Sequence, residues 1–160
     1  MKTRISFQEA PKGFMDGLMK THLYLKKSGL DAKLIELINF RVSQINECAY
    51  CLDMHYKDAI QLGESEQRLY SLAAWRETPY YSKAERAALA YTESLTRLNN
   101  HESAEKEWED LSTYFSTTDI ANLTLAITQI NTCNRLNRAF GTVPGNYQPG
   151  EHEVVPAVAV

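Results

Sequence analysis

The chain has 160 residues, 44% hydrophobic and 23% charged, which is enough apolar content for one compact core. With 17 Lys and Arg against 20 Asp and Glu, a formal charge of −3 offers no basic surface for nucleic acid or an anionic membrane. No run approaches the ~18 apolar residues that span a bilayer, and the start MKTRISFQEAPKG lacks a signal peptide's apolar core, so a cytoplasmic location is expected.

Taken in chain order, the punctuation is helical throughout and no strand pattern emerges. Pro11 fits the first turn of a helix on which Phe14, Leu18, Met19, His22, Leu23 and Leu25 recur at helical spacing, ending near Ser28-Gly29, with Gly13 and Gly17 weakening its first half. Asp31 caps a second helix to about Ile45, with Leu34, Leu37, Ile38, Val42 and Ile45 on its apolar face. Asn46 is the expected N-cap of a third helix, Glu47 to about Leu62, stopped by Gly63. Ser65 opens a short helix through Ala74, and Thr78-Pro79 breaks the chain between Arg76 and Tyr81. Ser82-Lys-Ala-Glu85 is a capping-box pattern for a helix to about Leu98. After a turn at Asn99-Asn100-His101, Ser103 begins a helix carrying Trp108, Leu111 and Phe115. Ser116-Thr-Thr-Asp119 caps a last long helix, Ile120 to about Phe140, ending at Gly141. The expected fold is all-α, with one domain over residues 1–145 and an extended Pro- and Gly-rich tail over 146–160, whose apolar end VVPAVAV packs on a neighbour or stays disordered.

The chemistry-bearing residues concentrate between Glu36 and His55, in ELINFRVSQINECAYCLDMH. Cys48 and Cys51 lie three apart at a helix start, where unpaired backbone N–H groups and the helix dipole favour a thiolate, the reactive form of cysteine. Two thiols so placed can close a small reversible disulfide. His55 follows Cys51 by four residues, one turn along the same face, within reach of its proton directly or through one water. On a helical wheel Cys48, Cys51 and His55 fall within an arc of ~60°. Glu36 is different: the periodicity of its own helix points it away from Ile38 and Ile45, as an ordinary solvated carboxylate would point, although Phe40 and Ser43 share its side.

The spacing Glu36-x11-Cys48-x2-Cys51-x3-His55 resembles the active-site signature of the alkylhydroperoxidase D family, within the carboxymuconolactone decarboxylase-like superfamily. Arg41-Val-Ser-Gln-Ile-Asn and the following Cys48-Ala-Tyr-Cys-Leu-Asp-Met-His, with Ala59 and Gly63, are similar to that family's core, centred here on residues 30–100. Trp75-Arg76, Glu85-Arg-Ala-Ala-Leu-Ala and Ile130-Asn131 with Asn134-Arg135 extend the likeness to about residue 140, in the compact single-domain type. The resemblance implies a compact helical bundle completed by oligomerisation, as a trimer or hexamer. It also implies reduction of organic hydroperoxides at Cys51, resolved by Cys48, with Glu36 and His55 relaying protons. The chain would need no cofactor, and electrons would come from a dithiol or lipoyl-type donor protein. Better-known members carry histidine where this sequence has Tyr50, and a tyrosine is no base near neutral pH.

Other readings of the same residues stay open at this level. A lactone-acid decarboxylase of the same superfamily would not use the thiol pair. A non-enzymatic redox-sensing or metal-binding module could take zinc on Cys48, Cys51, His55 and Cys133. Cys133 by itself reads as a small buried apolar residue or a third redox thiol. Asn131 and Arg135 read as helix-end or subunit contacts, and His22, His101 and His152 as core-edge or solvated histidines. Among the aromatic residues, Phe40 and Trp75 are the first candidates for lining an apolar substrate pocket.

Overall fold

The computed structural model describes residues 2–98 and 101–151, side chains at 101–104 apart. The turn at Asn99-Asn100, His152 and the VVPAVAV end lie outside the described residues. Among those described there is no strand, and the element order is α1 (Asp16–Lys26), α2 (Ala32–Ile45), α3 (Ala49–Gln61), α4 (Glu66–Ser71), a 3-10 segment (Leu72–Glu77), α5 (Lys83–Arg97), α6 (His101–Ser112) and α7 (Thr117–Phe140). None of these helices is long and apolar enough to cross a membrane.

Local chemistry starts most of the helices where the sequence places them. The Asp31 carboxylate accepts from Lys33 N at 2.8 Å, and Ser65 Oγ accepts from Arg68 N. Both capping boxes form, Ser82 with Glu85 and Ser116 with Asp119, each satisfying two backbone donors reciprocally. At the far end of α7, Gly141 takes φ +70°, and a Cβ there would stand 3.0 Å from Lys2 O. The N-terminal segment lies against that end, with Arg4 donating from Nε to Ala139 O and from its backbone N to Phe140 O.

The first and third helices begin later than the sequence predicts. Residues from Ser6 to Met15 run as turns, with Gly13 at φ +83°, so Pro11 lies outside α1. Asn46 is not the N-cap of α3 but the C-cap of α2, its N–H still donating to Val42 O. Its side-chain amide donates to Asn131 Oδ1 at 2.9 Å and Asn134 Oδ1 at 3.0 Å, and is thereby committed to α7. Cap position passes to Cys48. Similarly, the helix expected through Ala74 tightens to 3-10 winding after Ser71, which carries Trp75 inward.

α2 is the central element. It packs against α3, α5 and α7, and α1 in turn lies on α7. Its buried residues, Leu34, Leu37, Ile38, Phe40, Arg41, Val42 and Ser43, surround the helix axis and do not form a single stripe. Leu34, Ile38 and Val42 join one core cluster with Cys48, Cys51, Ala88, Leu111, Leu123 and Ile127. Leu37 and Phe40 join a second with Leu69, Leu72, Trp75, Tyr81 and Leu89. Each fully buried Leu or Ile contributes about 1.5–3 kcal/mol through removal from water.

Beside the second cluster, and bonded to its Trp75, an ion-pair network centres on a buried glutamate. Glu93, 2% exposed, accepts from Arg41 Nε at 2.7 Å and Trp75 Nε1 at 2.9 Å on one oxygen, and from Arg76 Nη1 at 2.7 Å on the other. Past α7 the chain folds back along α3. Lys57 Nζ donates to Gly145 O and Tyr147 O, both at 3.1 Å, and the buried Tyr147 gives its hydroxyl hydrogen to Asp58 at 2.8 Å. The stretch after 145 therefore begins docked on the bundle.

Candidate active site

A tight connection between α2 and α3 sets the two sulfurs. Glu47 adopts φ +53°, and Cys48 N donates back to Ser43 O at 3.0 Å. Cys48 is then the extended N-cap residue of α3, and Cys51 occupies its first turn, where backbone N–H groups lack helical partners. The helix-start advantage expected for Cys48 thus belongs to Cys51. Both cysteines are reduced and 1% exposed, and His55, one turn on, is 6% exposed.

Glu36 does not point to solvent. Its Oε2 lies 2.7 Å from His55 Nδ1, with only 15% of the glutamate side chain exposed. The amphipathic rule fails here because from Leu34 onward no residue of α2 is exposed, and the face that carries Glu36 meets α3 instead of water. An ionised Glu36 accepts the Nδ1 hydrogen and leaves the Nε2 lone pair for proton transfer. Nε2 is buried and has no hydrogen-bond partner.

The two thiols interact through a shared hydrogen. The hydrogen bond from Cys51 draws Cys48 down to about 7 against the opposing effect of burial, and the charges of His55 and Arg138 assist. The same hydrogen bond, followed by burial, pushes Cys51 up. The hydrogen bond thus favours one thiolate in the pair, with the remaining proton held between the two sulfurs. Burial raises Tyr50, with the Cys51 charge adding, so its phenol stays protonated beside them.

α7 completes the surroundings with Asn134, which the sequence marked only as part of the family likeness, and with Asn137, which it did not flag. Asn137 Nδ2 donates to Cys133 O at 3.0 Å and lies 3.6 Å from Cys51 Sγ, and its Oδ1 is buried without a partner. Asn134, fully buried, donates to Ser43 Oγ at 3.1 Å and favours the Cys51 thiolate. In the sequence Asn131, Asn134 and Asn137 recur every three residues, but α7 also carries several Thr, Gln and Arg residues, so that spacing alone does not mark a site. Asn131 itself joins α7 to α5 through Thr96 Oγ1, and Arg135 donates back to it. Cys133 is half-buried, and burial lifts its thiol to about 11, which makes it a poor nucleophile.

Two expectations about these surroundings change. Phe40 and Trp75 belong to the core cluster that does not contain the cysteines, and the Trp75 indole is committed to Glu93. As for a metal, the three side chains among the described residues whose ligand atoms all come within 4.8 Å of one another are Glu36, His55 and Asp58. Cys48, Cys51 and Cys133 form no such group. Glu36 is already hydrogen-bonded to His55, and Asp58 to Tyr147.

Residues 7–94 match the sequence model of the carboxymuconolactone decarboxylase family. An uncharacterised protein of Bacillus subtilis, YdfG, is 39% identical over 142 residues, covering 88% of this chain and 96% of its own. Among solved structures, a protein of unknown function from Agrobacterium tumefaciens, named a candidate antioxidant-defence protein AhpD, superposes with a TM-score of 0.86 at 36% identity, over 91% of this chain and all of that one. An uncharacterised peroxidase-related protein from Silicibacter gives 0.72 at 25% identity, over 82% of this chain and 70% of that one.

Proposed function

Because the chain belongs to the carboxymuconolactone decarboxylase family, we propose that it is a thiol peroxidase of the alkylhydroperoxidase D kind, reducing organic hydroperoxides at Cys51. The observation that carries this reading is the Glu36–His55 pair, held at 2.7 Å with a free Nε2, one helical turn from a hydrogen-bonded thiol pair. His55 takes the Cys51 proton. The Cys51 thiolate attacks the terminal oxygen of the hydroperoxide, the O–O bond breaks, and the departing alkoxide recovers the proton from His55 to leave as an alcohol. Cys48 then attacks the Cys51 sulfenic acid, water leaves, and a Cys48–Cys51 disulfide results. Two thiol exchanges with a dithiol or lipoyl-type donor protein restore the thiols. A pair that must be reduced after every cycle suits a reducing cytoplasm. Exposed apolar side chains just before α1, on α1 and on α7, among them Phe14, Leu23 and Leu125, offer surface for assembly into a homo-oligomer.

The test is one equivalent of cumene hydroperoxide added to fully reduced protein, read by peptide mass spectrometry. The expected result is stoichiometric loss of two hydrogens from the Cys48–Cys51 peptide. Glu36→Gln and His55→Ala should slow it on the order of 10²-fold or more, the usual contribution of a positioned base. A pair that stays reduced overturns the proposal.

A further inference from the structure

Two polar atoms in the candidate site are buried and unpartnered: His55 Nε2 and Asn137 Oδ1. Native interiors leave few such atoms, because a buried acceptor without a donor has surrendered its hydration for nothing. The Asn137 amide is fixed in place. Its Nδ2 donates to Cys133 O at 3.0 Å and also lies 3.6 Å from Cys51 Sγ. Turning the amide over would set Oδ1 against the Cys133 carbonyl, oxygen to oxygen, and would face the sulfur with an acceptor. The free lone pairs of Oδ1 therefore belong to the same side chain that contacts the reacting sulfur.

A hydroperoxide, R–O–O–H, needs two unlike partners. Its terminal oxygen, the one a thiolate attacks, carries a hydrogen to donate, and its inner oxygen gains negative charge as the O–O bond breaks. An acceptor is wanted at the first and a proton donor at the second. His55, once it holds the Cys51 proton on Nε2, supplies the donor, and Asn137 Oδ1 is the acceptor left over.

We propose that Asn137 is a substrate-binding catalytic residue, its Oδ1 receiving the terminal O–H of the hydroperoxide while its Nδ2 holds the Cys51 sulfur that attacks it. This rests on the peroxidase reading above and assigns the attacked end of the substrate. The step balances as before: the S–O bond forms at Cys51, the O–O bond breaks, and the electron pair leaves on the alkoxide, which takes the His55 proton. The hydrogen accepted by Asn137 remains on the terminal oxygen and becomes the hydrogen of the sulfenic acid. The site thereby selects oxidants that carry an O–H at the reacting end.

The experiment compares two oxidants on the reduced protein: cumene hydroperoxide, which has that hydrogen, and the aromatic disulfide DTNB, which has none. In Asn137→Ala the peroxide rate should fall on the order of 10²-fold, as when one preorganised polar partner of a reaction is removed, while the DTNB rate, which loses only the Nδ2 contact with the sulfur, should fall by about tenfold at most. Asn137→Ser keeps the bond to Cys133 O through its hydroxyl and carries the same comparison if the alanine variant does not fold by circular dichroism. A peroxide rate unchanged in the variants overturns the assignment, and so does an equal fall with both oxidants, which would mark a residue that only holds the thiol. If the wild-type protein reacts with DTNB but not with the hydroperoxide, the peroxidase reading itself fails, and this assignment fails with it.

Discussion

Cys51→Ser is expected to abolish hydroperoxide turnover, by at least about 10⁴-fold, since catalytic nucleophiles cannot be spared from a site that acts as a unit. A serine hydroxyl has neither the acidity nor the polarisable lone pairs of a thiolate, and nothing in this pocket would ionise it. The companion Cys48→Ser should behave differently. It still consumes one equivalent of peroxide, because Cys51 and the Glu36–His55 pair remain, and it stops at a sulfenic acid that dimedone traps. The two variants are to be compared by peroxide consumption per subunit. Sustained turnover by Cys51→Ser would move the chemistry elsewhere. A dimedone adduct at residue 48 in Cys51→Ser would instead give the attack to the more acidic thiol, Cys48.

The largest expected effect on stability comes from Glu93→Gln, about 3–5 kcal/mol in urea unfolding at pH 7, the usual cost of stranding half of a buried ion pair. Arg41 is only 7% exposed and has its chief partner in Glu93, so the variant leaves a guanidinium enclosed without its counter-charge. Against a typical total of about 5–15 kcal/mol, that is a third or more of the fold's stability. The dependence on pH has a definite sign. Burial pulls the Glu93 carboxyl up, but the hydrogen bonds from Arg76, Trp75 and Arg41 together hold it below the ordinary glutamate range. A carboxyl lowered in the folded state contributes stability in full above its unfolded value, about 4.3, and loses it as pH falls through the folded value. The gap between wild type and Glu93→Gln should therefore narrow below about pH 4. Glu85, lowered by Arg68 and Ser82 against its own burial, adds a similar loss to both proteins and cancels in the difference. A gap that is constant or widens in acid would mean that the glutamate is not held as a carboxylate by its arginines.

What could be read in the sequence was what neighbours along the chain decide. The two capping boxes, the Asp31 cap and the glycine stop at 141 depend on residues three or four apart, and each forms as written. The all-α class follows from the same local signals, and the Cys-x-x-Cys-x3-His face is one helix seen end-on. Glu36 was not legible from pattern, because periodicity assumes that a helix has a wet side, and α2 has none beyond its first turn. The start of α3 was misplaced for a similar reason: Asn46 is a good cap by type, but its amide is drawn to Asn131 and Asn134, 85 and 88 residues away. Tyr147 and Asn137 could not be singled out, since one lies in a Gly- and Pro-rich stretch and the other near a helix end. Only the packing of α7 and the returning chain against α3 gives them a position.

In the proposed peroxidase cycle, the seclusion of the sulfurs would separate the two halves by size. With 1% of each cysteine exposed, a disulfide closed between them is out of reach of a protein donor, whereas a small peroxide needs only a transient gap. Recycling then waits on a local unfolding event at the connection between α2 and α3, where Glu47 sits in the left-handed region and a few backbone bonds hold the turn. Such an event exposes surface, so its equilibrium shifts with denaturant. Urea well below the unfolding midpoint would speed reduction by a bulky dithiol protein and leave oxidation by cumene hydroperoxide nearly unchanged. In that cycle the turn at residues 46–48 would set how quickly the oxidised protein returns to service.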